Sequence, residues 1–123
     1  MSDRRRQLGD FGERAAAAHL EQQGMRVLAR KWRCPQGELD LVLRDGATLV
    51  FAEVRTRRTG GASAEESVGR DKQARLIGLA YAYCEAHSIG EQTPWRIDVV
   101  AVEIDRGGRI VRIAHIPSAV EEQ

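Results

Sequence analysis

Two acids on neighbouring predicted strands, Asp40 and Glu53, carry the most chemistry in this chain, with Arg55 two residues beyond the second. Carboxylates are hard oxygen ligands of the kind that Mg2+ and Mn2+ take. A divalent ion held by them lowers the pKa of a bound water and offsets charge on a phosphate in transfer. Arg55 cannot serve as a general base, because a guanidinium keeps its proton. Beside the acids it is an electrostatic clamp. These are the residue types of a metal-dependent centre that hydrolyses phosphodiesters. The plainer reading is a structural pair of acids held by Arg55 and Arg57 in surface salt bridges. Against it, acids crowded on one strand face repel each other unless a cation joins them.

The element that must position them is a hairpin over residues 37–57, GELDLVLRDGATLVFAEVRTR. Asp45-Gly46 is a tight-turn signal between two runs of strand composition, 38–45 and 47–56. Folding about that turn pairs Val42 with Leu49, Asp40 with Phe51 and Glu38 with Glu53. Alternation then places Glu38, Asp40 and Val42 on one face with Leu49, Phe51, Glu53 and Arg55. The face is apolar near the turn and charged at its far end. Asp40 and Glu53 become diagonal neighbours, roughly 7–8 Å apart at the backbone. Glu38 is either a further ligand or an acid facing solvent.

Around the hairpin, Leu8, Phe11, Ala15 and Ala18, with Ala16 and Leu20, recur at helical spacing, so 7–23 reads as an amphipathic helix ending at Gly24. Residues 26–32 form a short strand candidate, and 59–69, rich in Gly, Ser, Thr and Glu, a mobile loop. Residues 70–87 read as a second helix with Ile77, Ala80, Tyr81 and Cys84 as its buried stripe. Strands follow over 95–104 and 109–116, and the tail after Pro117 is expected to fray. The order is helix, three strands, helix, two strands. It predicts one α/β domain over 1–123 with its core at about 8–116, built on a mixed sheet covered on both faces.

With 123 residues, 42% hydrophobic and 30% charged, the chain suits one ordinary globular domain rather than a disordered segment. No apolar run is long enough to span a bilayer, and the N-terminus lacks the apolar core of a secretory signal. A cytoplasmic protein without a membrane partner is expected. Cys34 and Cys84 match no metal-ligand spacing and read as buried thiols rather than a disulfide. The net charge of +1 decides nothing, but its distribution is uneven. Residues 1–75 hold 15 Lys and Arg against 11 Asp and Glu, a net of +4, and residues 76–123 hold 4 against 7, a net of −3. A positive rim around an acidic centre suits a phosphate-bearing partner; an ordinary solvated surface would look the same. No Walker loop, dinucleotide fingerprint or nucleophile elbow occurs.

Asp40 followed by Glu53-Val54-Arg55 resembles the bipartite Asp…Glu-x-Lys signature of the restriction-endonuclease-like fold. Gly12-Glu13 with Ala16 and Leu20, Gly37-Glu38-Leu39-Asp40, Phe51-Ala52-Glu53-Val54-Arg55, Lys72, and Arg96-Ile97-Asp98-Val99-Val100 together resemble the YraN-like family of small bacterial proteins, relatives of Holliday-junction resolvases. The match runs in order over about residues 8–102. The resemblance implies a three-layer nuclease-like fold, with Asp40, Glu53 and the Val54 backbone carbonyl as metal ligands and Glu13 reaching the site from the first helix. It also implies a structured, branched DNA substrate and a homodimer, since a four-way junction has two-fold symmetry. Arg55 departs from the signature, where the fold uses lysine. On pattern alone Glu13 is a solvated helix residue. A non-catalytic nucleic-acid-binding module and a protein-interaction domain with an exposed sheet edge are the competing functions.

Arg57, Arg58, Arg70, Lys72 and Arg75 bracket the loop and are candidates for holding phosphates, or else simply solubilise the surface. Arg4 to Arg6 form a basic arm that would add sequence-blind affinity for DNA. Asp98 beside Arg96 reads as a structural ion pair. His19, His87 and His115 show no ligand spacing, and Trp32 and Trp95 read as core packing.

Overall fold

The computed structural model describes residues 3–59 and 68–121. The order is α1 (Asp3–Gln22), β1 (Arg26–Cys34), β2 (Gly37–Asp45), β3 (Thr48–Arg58), α2 (Arg70–Ala86), β4 (Trp95–Ile104) and β5 (Ile110–Val120). All five strands form one sheet in chain order. Every neighbouring pair is antiparallel except β3–β4, which is parallel. A parallel pair cannot be closed by a hairpin, so α2 is the crossover that returns the chain. The helices cover opposite faces. Ala16, Ala17 and Leu20 of α1 pack on Leu41, Leu43, Val50 and Val100, while Leu76, Leu79 and Tyr83 of α2 pack on Val42, Phe51 and Ile97. This is a three-layer α/β domain with a mixed sheet, consistent with the restriction-endonuclease-like layering. Among the described residues, no helix is long and apolar enough to cross a membrane. Cys34 and Cys84 are free thiols, half-buried rather than buried.

The hairpin register differs from the sequence expectation. Val42 pairs with Phe51 and Leu41 with Ala52, and the loop is Gly46-Ala47, closed by Asp45 and Thr48. Gly46 has φ of 60°, the conformation that the first central residue of a two-residue hairpin loop needs. Glycine therefore leads the loop rather than ending it. The slip is two positions along β3, so the side chains of β3 keep their expected faces. On β2 the alternation breaks once, Leu39 packing with Val42 on the α2 side while Leu41 and Leu43 pack under α1. Asp40, however, moves from opposite Phe51 to the level of Glu53, and Glu38 no longer opposes Glu53.

Two boundaries and two buried faces also differ. α1 begins at Asp3, so Arg4 to Arg6 are its first turn rather than an arm. On α1 it is Ala17 that is buried, and Ala18 faces solvent. The buried stripe of α2 is Leu76, Leu79, Ala80 and Tyr83, with Tyr81 outside and 49% exposed. The Tyr83 ring wins the inner position because it meets both Trp32 and Phe51 edge-on, at centroid distances of 5.2 and 5.6 Å. β5 continues to Val120, which is buried and pairs with Ile97 across a bulge. The expected loop over 59–69 lies largely on residues 60–67, outside the described residues.

Gly12 sets how closely α1 approaches the sheet. A Cβ at this position would overlap Thr56 Oγ1 on β3, so only glycine lets the helix lie where it does. Gly12→Ala should lower the unfolding free energy by about 1–3 kcal/mol in urea titration, although alanine has the better helix propensity by about 1 kcal/mol. Adding Thr56→Ala should restore part of the loss. A Gly12→Ala protein as stable as the parent would mean that α1 is free to shift.

Candidate functional site

Asp40 and Glu53 stand where the β2–β3 ladder stops. The last pair is Leu41 with Ala52, and the next residue on each strand is one of these acids. Asp40 Oδ2 accepts the Val54 amide at 2.8 Å, taking the place of a strand carbonyl. Val54 thus touches the site through its N–H as well as lining the cleft. Glu53, 8% exposed, accepts the Lys72 ammonium from the first turn of α2 at 2.9 Å. Burial, and then the hydrogen bond and charge of Glu53, push the Asp40 carboxyl up to about 8, with the Val54 amide working against them and Glu13 adding to them. Two carboxyl groups this close resist ionising together. Asp40 therefore keeps its proton to a higher pH than an ordinary carboxyl.

Glu13 arrives from the α1 side. Ligand oxygens of Glu13, Glu38 and Asp40 lie within 4.8 Å of one another. Asp40 is therefore the member common to two groupings, with Glu53 on one side and Glu13 and Glu38 on the other. Each flanking acid has a basic partner: Glu13 with Lys31 at 2.7 Å, Glu38 with Arg33 at 2.9 Å and Glu53 with Lys72. Lys31 also grips Asp10 at 2.8 Å. Burial works against the Lys31 charge, but the hydrogen bonds of Asp10 and Glu13 outweigh it and hold the ammonium above its ordinary pKa. The Asp10 carboxyl is lowered in return, chiefly by its hydrogen bond to Lys31.

Three open clefts meet at Asp40. One, of about 450 Å³, is lined by Asp40, Glu53, Val54, Arg55, Arg57 and Lys72 among others. A second, of about 440 Å³ on the α1 side, adds Arg5, Glu13 and Thr56. The smallest, about 240 Å³, is bordered by Glu38, Asp40, Glu53, Lys72 and Arg75. The structure thus brings together Glu13, Glu38, Asp40, Glu53, Arg55, Arg57, Lys72 and Arg75. Arg58 at the end of β3 and Arg70 at the start of α2 stand outside the lining of these clefts. The donor set fits a hard divalent ion: all carboxylate oxygen, partly buried, with surplus negative charge now offset by three basic side chains.

Sequence reasoning missed the ion pairs that tie the site shut. Arg33 and Glu38 face each other across the β1–β2 turn, a cross-strand charge pair that was there to be read. Lys31 gave no such signal. It sits at φ of 50° inside β1, and that kink turns its side chain toward α1. Asp98 does pair with Arg96, at 3.0 Å; its second partner, His115 Nε2 at 2.7 Å, was not foreseen.

Residues 12–102 match the profile of the uncharacterised protein family UPF0102. A UPF0102 protein of Roseiflexus castenholzii is 52% identical over 123 residues, covering 99% of both chains. One from Chloroflexus aurantiacus is 50% identical over 122 residues, again 99% of both. One from Pelotomaculum thermopropionicum is 47% identical over 122 residues, 97% of this chain and 99% of its own. These are full-length matches well above the level at which family membership is in question, and the chain belongs to the UPF0102 family, the YraN-like group.

Proposed function

We propose that the protein is a Mg2+- or Mn2+-dependent phosphodiester hydrolase acting on nucleic acid, structured or branched DNA in the first instance, in the cytoplasm. The observation that carries this is the cleft of about 450 Å³ in which a carboxyl pair, half-buried Asp40 and buried Glu53, lies beside Arg55, Arg57 and Lys72. Asp40 and Glu53 are the residues to hold the ion, with Glu13 and Glu38 supporting from the other side. The ion supplies charge neutralisation and an acidified water. Arg55 and Arg57 orient the phosphate and take up charge as it develops. Arg5 and Arg75 extend the positive border along the strand's path. A nuclease kinship and a dimer matched to a two-fold junction belong to this same proposal.

Purified protein should nick or cut junction, flap or single-stranded substrates with Mn2+ and not with chelator, and Glu53→Ala should lose at least a hundredfold in rate. Absence of both cleavage and Mn2+ binding in the intact protein would sink the proposal. One observation favours a second reading, a non-catalytic nucleic-acid-binding module. Glu13, Glu38 and Glu53 already have basic partners, as in a site that has settled into salt bridges. Asp40→Ala that leaves DNA affinity intact, with no cleavage to lose, would select that reading.

A further inference from the structure

We infer that Lys72 is the exchangeable cation of this site. Its ammonium occupies Glu53 in the free protein, and a divalent ion displaces it toward the phosphate of a bound nucleic acid. The inference rests on the hydrolase reading above and adds what happens to the lysine that β3 lacks. Lys72 Nζ lies 2.9 Å from Glu53 Oε2, the Lys72 side chain 43% exposed and that of Glu53 only 10%. The acid is fixed in the wall while its partner comes from the solvent side. Lys72 is the third residue of α2, and its long stem can pivot without moving the helix. It lines both the cleft shared with Arg55 and Arg57 and the smaller one shared with Arg75, so either pivot keeps it among the phosphate-facing bases.

Lys31 shows the contrast. It is clamped by two carboxylates, Asp10 at 2.8 Å and Glu13 at 2.7 Å, and would have to break both to leave. Among the described residues, Lys72 has one acid to give up. Arg55 cannot make the same move, because a guanidinium spreads its charge over a planar fork, while an ammonium is a compact charge on a flexible stem. The lysine expected two residues after Glu53 is thus supplied to the same carboxylate from the helix.

Mn2+ titration by calorimetry on the full chain tests this with Lys72→Met, Lys72→Arg and Glu53→Gln. Lys72→Met, which keeps the stem and drops the charge, should bind Mn2+ roughly three- to tenfold tighter than the parent, the scale of a partly buried ion pair. Lys72→Arg should bind like the parent, and Glu53→Gln should bind far more weakly than all three. A lysine with a merely structural role would leave Mn2+ affinity unchanged or reduced in Lys72→Met. That result, with Glu53→Gln still impaired, overturns the exchange and leaves the metal reading standing. No binding by any variant overturns both. A short DNA duplex supplies the second readout. With Ca2+ present, which takes the same oxygen ligands, the parent should bind it several-fold tighter than Lys72→Met, and without a divalent ion the two should bind alike. An equal difference under both conditions overturns the transfer of Lys72 to phosphate.

Discussion

Asp98→Ala is expected to cost the fold about 3–5 kcal/mol in urea denaturation, the range for removing one partner of a buried charge pair. Asp98 is 0% exposed, and four contacts converge on it. Arg96 Nε reaches both carboxylate oxygens at 3.0 and 3.2 Å, His115 Nε2 meets Oδ2 at 2.7 Å, and the Ser118 amide donates to Oδ1 at 3.0 Å. The partners reach outward in turn. Arg96 Nη2 binds Asp45 beside the β2–β3 turn at 3.0 Å, and His115 Nδ1 meets Gln23 just beyond α1 at 3.2 Å. One carboxylate therefore joins β4, β5, the hairpin turn and the end of α1. Alanine leaves Arg96 Nε, His115 Nε2 and the Ser118 amide without their common partner in a largely buried site, which costs more than the lost bonds themselves, although Arg96 keeps Asp45. Asp98→Asn keeps the shape and an acceptor, so it should fall between the parent and Asp98→Ala. A loss under 1 kcal/mol in Asp98→Ala would show that water or a rearranged Arg96 replaces the carboxylate.

The same network explains why β5 outruns its sequence signal. Pro117 breaks the alternating pattern, which predicts a frayed tail. In the fold, Ser118 takes φ of 51° and gives its amide to Asp98, and the bulge lets Val120 return to pair with Ile97. A bond between residues 98 and 118 leaves no local trace in the chain. What is legible locally came through. The order of helices and strands along the chain, the mixed sheet covered on both faces and the faces of β3 follow from periodicity and turn chemistry. The hairpin register did not, because Asp-Gly and Gly-Ala each offer a two-residue loop and only packing decides between them.

The acidic residues of the candidate site were legible as a group, since folding the hairpin about either loop brings Glu38, Asp40 and Glu53 to its open end. Their counter-ions were not. Lys31 depends on a backbone kink, and Lys72 sits on a helix whose rotation is set by Leu76, Leu79 and Tyr83. The Ile77 and Tyr81 stripe would have turned Lys72 to a different bearing. An error of one position in a helix stripe is a rotation of about 100°, enough to hide the contact on which the electrostatics of the site depends.

Asp40→Asn should stabilise the protein at alkaline pH and, on the hydrolase proposal, abolish cleavage. Asp40 titrates at about 8 in the folded chain against an ordinary 3.8. Below the lower value both folded and unfolded chains carry the proton and no penalty exists. As pH rises from there the unfolded chain ionises and the folded chain does not, so stability drains away until the folded carboxyl also ionises near 8. Asparagine has nothing to titrate. It keeps an acceptor for the Val54 amide and offers a donor to Glu53. The gap between Asp40→Asn and the parent should therefore widen between about pH 5 and pH 8 by on the order of 2–4 kcal/mol in urea titration, each pKa unit being worth about 1.4 kcal/mol and the sharing of the proton with Glu53 reducing the total. A gap that stays constant over that window would place the shared proton elsewhere. A gap that widens while cleavage is lost would mean that Asp40 is kept at a cost to the fold, and a residue kept on those terms is kept for what it binds.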